Sequence, residues 1–402
     1  MKSEGNVTLD VWADQGEVDL MKSLVPVYEK KFPNVTVKVQ FKSFNDLTAT
    51  VLNAMSSSSP PDVAQGNQGW QIDGSLVKNK LIRPLNDVAS AYGYTQAVGA
   101  AISQVKWSPD GKVFGTGDIY GMAPDNQMVG IFYNREKLAQ LHLTVPKTFA
   151  EFQHALAAAK TAGQTPIVLG NSDKGSAMQA FSIVQGAMTP AADTVAWITG
   201  EKGKTFDLPS NKAALELWSQ WANNGYLSAG YNGMSPDDAA KKFANGEGLF
   251  YIGGNWAASA ISDGKTFGFI AAPSGAGNTA TSCGSFGLDW HVSSRTKHPY
   301  AAIAFVGLIN SPGSSKYLAA ARRVPITAEG VQVSDPLFSD LMAASKEQLS
   351  HNGALYYFGW ATPTMPSTFT TDLQKVMGGQ QTPVEMIKDV QGNWSQFQDS
   401  RK

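Results

Sequence analysis

Residues 7–11 (Val-Thr-Leu-Asp-Val) alternate apolar with polar, the period-two pattern of a half-buried strand. Beyond the exit Trp12-Ala13-Asp14-Gln15-Gly16, apolar residues recur every fourth position at Leu20, Leu24, Tyr28 and Phe32. That spacing predicts a helix ending at Pro33-Asn34, with Pro26 marking a kink or a late start. Val35, Val37, Val39 and Phe41 alternate as a second strand, and Asn45-Asp46 opens a helix carrying Leu47, Val51 and Met55. Residues 61–65 enter a third strand, which leaves through Gly66-Asn67-Gln68-Gly69-Trp70. Strand and helix in strict alternation predict a mainly parallel sheet with helices on both faces.

Further along, residues 129–133 read as a strand and Pro146-Lys147-Thr148 as a helix start. Residues 166–169 read as a buried strand leaving through Gly170-Asn171-Ser172. Residues 211–224 form a helix whose Leu215, Trp218 and Trp221 share one side and read as core. The sharpest change of pattern lies at residues 235–256. Ser235-Pro236-Asp237-Asp238 is a helix start, with a cap, a proline at the first helical position and acids in the first turn. Asn245-Gly246 ends that helix, since both residues tolerate left-handed backbone. Leu249-Phe250-Tyr251-Ile252 then reads as a strand buried on both faces. It exits through Gly253-Gly254-Asn255-Trp256: two residues that admit close approach, an amide and a large flat ring.

Composition narrows the class. At 402 residues the chain exceeds what one core supports, so two domains are expected. Charged residues make up 16%, and there are 39 glycines and 20 prolines, which marks a turn-rich globular protein. A net charge of −1 gives no general attraction to nucleic acid or an anionic membrane. Met1-Lys2-Ser3-Glu4-Gly5-Asn6 has no apolar signal core, so an exported form would carry its leader ahead of this sequence. The single cysteine, Cys283, permits no internal disulfide and has no histidine beside it in sequence to make it a nucleophile.

Enzyme signatures are weak. The five histidines are scattered with no His-Glu-x-x-His, so neither a metal site nor a cofactor is expected. Gly203-Lys204-Thr205 ends like a phosphate-binding loop, but Ile198 stands where the first glycine must be. No pair of acids stands out as the two carboxyls of a glycosidase.

The order of motifs resembles the extracellular solute-binding proteins of ABC importers, in the maltose-binding-protein-like, carbohydrate-specific group. The resemblance rests on the strand ending at Trp12, Pro61-Asp62-Val63, Leu81-Ile82-Arg83-Pro84-Leu85 and Tyr133-Asn134-Arg135-Glu136-Lys137-Leu138. Val145-Pro146-Lys147-Thr148-Phe149, Phe243 to Trp256, Tyr300-Ala301-Ala302-Ile303-Ala304-Phe305 and Pro383-Val384-Glu385-Met386 complete it. It covers most of the chain and is most similar to actinobacterial xylo-oligosaccharide-binding lipoproteins. The resemblance implies an α/β fold of two periplasmic-binding-protein-like lobes, each with a mainly parallel sheet. Lobe 1 would be 1–126 plus 277–325 and lobe 2 would be 127–276 plus 326–402. Hinge crossings are expected near 127–133, 271–277 and 323–326, with the sugar in the cleft and lobe closure on binding.

It further implies a non-catalytic, extracellular, monomeric protein, lipid-anchored through a preceding segment and working with membrane permease subunits. Its ligand would be an oligosaccharide, with xylobiose or a xylo-oligosaccharide the first choice. Malto-, cello- and galacto-oligosaccharides and, further off, a carbohydrate-active enzyme are the alternatives. Pyranose rings offer C–H faces to aromatics and hydroxyl rims to fixed polar groups. Trp256 matches the family's stacking position, with Asn255 beside it. Trp12, Asp14 and Gln15 stand at the first strand exit, and Asn67 and Trp70 at the third. Asn126 and Gln127 precede the first crossing, and Asn171 and Lys174 stand at the second-lobe exit. Asp289 and Trp290 lie near the second crossing, with His291 on the opposite face as a structural histidine. Arg323, Phe358 and Trp360 are expected rim contacts. Few carboxylates fall at these points, unlike the maltose-binding pattern.

Overall fold

The computed structural model describes residues 5–401 except 276, 278, 328 and 329. Residues 1–4, read above as lacking a signal core, and residue 276 of the expected second crossing lie outside the described residues. The chain divides into two compact units: Met1–Asn126 with Phe286–Gln332, and Gln127–Ser285 with Val333–Lys402.

The first unit is built on a four-stranded sheet in the order Trp290–Val292, Val63–Gln65, Val7–Asp14, Val35–Lys42. Val7–Asp14 runs parallel to both neighbours, with Val7 opposite Val35 and Val11 opposite Val63. Trp290–Val292 joins antiparallel at the edge, Trp290 facing Gln65. The alternation seen in sequence is the burial pattern here: Val7, Leu9, Val11 and Ala13 point into the core. Helix Val18–Lys31 covers them with Leu20, Leu24 and Tyr28, and the Tyr28 hydroxyl donates to the Ala301 carbonyl at 2.8 Å. This helix does not start late. Pro26 lies on its exposed side, so the Lys22 carbonyl that loses its donor faces water, where the loss is cheap.

The second unit's sheet runs Phe267–Ile270, Val129–Asn134, Phe250–Gly254, Ile167–Val168. Only the last pair is parallel; Val129–Asn134 is antiparallel to both neighbours. The mixed α/β class stands, but the mainly parallel sheet expected of each lobe is found in the first unit alone. The reason is that all of Val129–Asn134 is buried. A continuously apolar strand reports cover on both faces, which antiparallel strands also have when helices pack on each side. Helix Gly175–Gly186 packs on the two central strands and helix Pro336–Ser350 on Phe267–Ile270.

Local signals hold where side chains act on their own backbone. Ser235 accepts from the Asp238 N–H and Pro236 begins the helix. Thr148 and Thr382 each close a reciprocal capping box, with Glu151 and Glu385. Trp218 and Trp221 are buried in helix Pro209–Asn223.

Candidate functional site

In the second unit, the exit of strand Phe250–Gly254 presents Asn255 and Trp256 on one short helical turn, Asn255–Ser259. Asn255 is held at two points by one residue. Its N–H donates to the Met128 carbonyl at 2.9 Å, and its Oδ1 accepts from the Met128 N–H at 3.2 Å. Half-buried Gln127 precedes Met128, just ahead of strand Val129–Asn134. Trp256 is 42% exposed, while most other tryptophans of the described residues are enclosed. A Cβ placed on Gly254 would sit 2.1 Å from Trp256 Cη2 and Cζ3 and 2.2 Å from Cε2. Near-equal distances to atoms around the ring put Gly254 against the indole face. Glycine is required there because any side chain would occupy the ring's place.

Other second-unit candidates sit deeper. Asn171 is fully buried; its Oδ1 accepts from the Ala177 N–H at 2.9 Å, and its Nδ2 donates to Asn232 at 2.9 Å. It holds the start of helix Gly175–Gly186 to the strand exit. Lys174 is exposed with φ +60°. Phe358 is fully enclosed, stacked on Phe369 at 4.7 Å, and Trp360 packs beside Tyr356 and Tyr357.

In the first unit, Trp12 is half-buried and Gln15 exposed at the end of the first strand. The Lys42 ammonium stands 3.9 Å from the Trp12 ring centroid. Lys42 and exposed Phe41 end the neighbouring strand, opposite Asp14 and Ala13. Neither is expected at the site from the sequence, where Phe41 reads only as an apolar position of the second strand. The usable signal was the parallel pairing itself, which brings two strand exits side by side. Asp14 accepts from the Gly16 N–H at 2.7 Å; burial raises its carboxyl above the usual range, against the Gly16 and Gln15 amides.

Trp70 is 5% exposed, set edge-on to Trp107 at 4.8 Å. Asn67 is half-buried, and its N–H donates to Asp73. Asn126 is buried and pairs with Val324 across a two-residue ladder. Arg323 is committed to two buried acids, donating to both oxygens of Asp125 at 2.8 and 2.9 Å and to Glu17 at 2.5 Å. Burial would lower its pKa, but Asp125 and Glu17 raise it further, so the guanidinium stays charged. Glu17 also accepts from Gln65 Nε2 at 3.0 Å, and Gln65 Oε1 accepts from the Asp14 N–H at 2.8 Å. Asp289 and Trp290 are both fully buried. His291 shares the Asp289 side of the strand and Trp290 faces the other way, as the two-residue period requires. The histidine thus lies opposite Trp290 but not opposite Asp289, which corrects the expected placement; Nδ1 lies 2.8 Å from the Tyr120 carbonyl and Nε2 3.1 Å from Asp73.

Thus the structure brings Asn255, Trp256 and Gln127 to one strand end in the second unit. It brings Trp12, Asp14 and Gln15 to another in the first, with Phe41 and Lys42 added. Trp70, Asp289, Trp290, Arg323, Asn171, Phe358 and Trp360 lie inside their own units. The second-unit exit offers a flat ring and amides, and the first-unit exit offers flat rings, an amide, a carboxyl and a lysine. Rings and fixed polar groups of this kind suit contact with a neutral polyhydroxylated ligand.

Residues 24–344 match the family model described as bacterial extracellular solute-binding protein. The chain is 24% identical over 348 residues to the multiple sugar-binding protein of Streptococcus mutans serotype c (strain ATCC 700610 / UA159), covering 82% of this chain and 77% of that one. Among solved structures, a chitin oligosaccharide binding protein superimposes with a TM-score of 0.83 at 20% identity, covering 98% of this chain and 99% of that one. A structure connected with xylan utilization by the thermophilic bacterium Caldanaerobius polysaccharolyticus gives a TM-score of 0.82 at 21% identity, covering 96% and 99%.

Proposed function

The chain belongs to the bacterial extracellular solute-binding proteins, and from that premise we propose that it captures an oligosaccharide for an ABC importer, with xylobiose or a xylo-oligosaccharide as first choice. Proteins of this family bind a solute outside the cell, so the role is binding and not catalysis. The observation that carries the sugar reading is Trp256: a large ring, substantially exposed, seated on Gly254 beside an anchored amide. A supported ring with an open face offers a sugar's C–H surface a stacking partner whose ordering cost is already met. Trp12, with Asp14, Gln15 and Lys42 around it, would supply a second ring and hydroxyl partners. The name of the Streptococcus mutans relative supports a sugar, and the structure tied to xylan utilization supports the xylo choice.

The proposal includes the rest of what the resemblance implies: permease subunits as partners, a monomeric protein, a lipid anchor ahead of this sequence and closure on the ligand. A screen by tryptophan fluorescence across xylo-, malto-, cello-, galacto- and chito-oligosaccharides tests the choice of sugar. The tightest response is expected from the xylo series; a tenfold or greater preference for another series, about 1.4 kcal/mol, would replace it.

A further inference from the structure

Three polar side chains meet inside the first unit and take no part in the proposed sugar contacts. Asp73 opens the short helix Asp73–Lys78, and Asp289 and His291 flank Trp290 where its strand begins. Asp73 is 1% exposed and the other two 0%. The His291 Nδ1 stands 2.8 Å from the Tyr120 carbonyl oxygen, an acceptor only an N–H can satisfy. That fixes the proton on Nδ1 and turns Nε2 toward the acids, 3.1 Å from Asp73 Oδ1 and 3.6 Å from Asp289 Oδ1. One oxygen of each acid and a ring nitrogen lie within 4.8 Å of one another.

The arrangement leaves one group unserved. Asp73 Oδ1 accepts from the Asn67 N–H at 3.2 Å as well as facing Nε2. Neither oxygen of Asp289 has a hydrogen-bond partner among the described residues. A buried carboxylate that accepts no hydrogen bond is costly even beside a histidine. A single proton on Nε2 can be donated to Asp73 at 3.1 Å, whereas Asp289 Oδ1, 3.6 Å from Nε2, is close enough for attraction but beyond hydrogen-bond reach. A cation is not limited to one acceptor: it takes an oxygen from each acid and the Nε2 lone pair together. Ligand atoms 3.1 and 3.6 Å apart are also what a metal about 2.1 Å from each would set at tetrahedral or octahedral angles. The Nδ1–H to carbonyl bond is the second contact that metal-bound histidines use to fix ring and tautomer. Packing holds the acid in place, since a Cβ on Gly121 would lie 1.7 Å from Asp289 Oδ2.

We propose that Asp73, Asp289 and His291 hold a divalent transition-metal ion as a structural site of the first unit. One imidazole with two carboxylates suits Zn2+ or Mn2+; calcium prefers an all-oxygen set. The two carboxylates neutralise the ion's charge, and enclosure means that it enters while the chain folds.

The test takes the full chain expressed separately with Zn2+ and with Mn2+ and purified without a metal column, with metal content measured by plasma mass spectrometry. Close to one equivalent of one of these metals per chain is expected. Asp289→Asn is expected to lose most of it while keeping its circular dichroism spectrum. Should that variant fail to fold, the wild-type chain still decides: refolded from guanidinium with Zn2+ or Mn2+, it should melt higher than when refolded with EDTA. Wild-type protein that carries neither metal and melts alike under both refolding conditions overturns the proposal and leaves protons as the occupants.

Discussion

The indole of Trp256 lies flat on the backbone of Gly254, two residues before it in the chain. The glycine therefore works as a seat for the ring, and each member of the pair can be removed separately. Trp256→Ala takes away the stacking surface. It should weaken sugar binding by roughly 2 kcal/mol or more, on the order of thirtyfold, with little change in the unfolding midpoint because the ring is substantially exposed. Gly254→Ala keeps the ring and pushes it off its seat, so binding should fall while the Trp256 emission shifts. Equal binding by both variants and the wild type would remove Trp256 from the site.

Arg323 gives the opposite expectation. It is the shared cation of Glu17 and Asp125, all three largely buried. Arg323→Met strands two acids and should destabilise the protein by about 3–5 kcal/mol, read as a drop in the urea midpoint. A variant that keeps its midpoint and loses only sugar binding would return Arg323 to the rim of the site.

The two tryptophans at the first unit's strand exits should separate in the same way. Trp70 packs edge-on to Trp107 in the interior, and Trp70→Ala should cost about 3–5 kcal/mol of stability. Trp12 is half-buried under the Lys42 ammonium, and Trp12→Ala should chiefly weaken sugar binding. The two readouts, chemical unfolding and fluorescence titration, distinguish the roles. A stable Trp70→Ala variant that no longer binds would reverse the assignment.

The capping boxes predict a pH dependence with a definite sign. Glu151 accepts from the backbone of Lys147 and Thr148, and Glu385 from the backbone and hydroxyl of Thr382. These bonds favour the charged carboxylate and hold both groups below the usual glutamate range. A depressed folded-state pKa contributes stability that is present above the unfolded value, about 4.3, and lost as pH falls through the folded one. Glu151→Gln with Glu385→Gln should therefore be less stable than wild type at pH 7. The gap in urea midpoint should close as pH drops below the carboxylate range. A gap that is unchanged in acid would mean that the charge of these groups does not matter.

How far the sequence carries depends on the distance over which each signal acts. Ser235 capping its helix and Asn245-Gly246 ending it involve neighbours in the chain and were legible there, and the strand expected at 249–252 is present, shifted to Phe250–Gly254. That Trp256 ends a strand behind two glycines was legible as well; that its ring is exposed was not, since Trp70 also follows a glycine at a strand exit and is buried. Strand direction was not: Val129–Asn134 is apolar for the same reason whether its neighbours run with it or against it. Nor was the difference in surroundings of Trp70 and Trp12, two tryptophans at similar strand exits. Trp107 and Phe114 enclose the first from about forty residues away. Arg323 was singled out as a charged group near a crossing, and its partners Glu17 and Asp125 come from distant parts of the chain. Lys42 carries no signal in the sequence because its place beside Trp12 exists only once the two strands pair.

The central claim is capture of an oligosaccharide without turnover. Calorimetric titration of the full chain with xylobiose and xylotriose, followed by chromatography of the recovered sugar, tests it most directly. Saturable binding with one sugar per chain is expected, with the sugar recovered intact. No heat with any member of the xylo-, malto-, cello-, galacto- or chito-oligosaccharide series, or sugar recovered in shorter pieces, would contradict it.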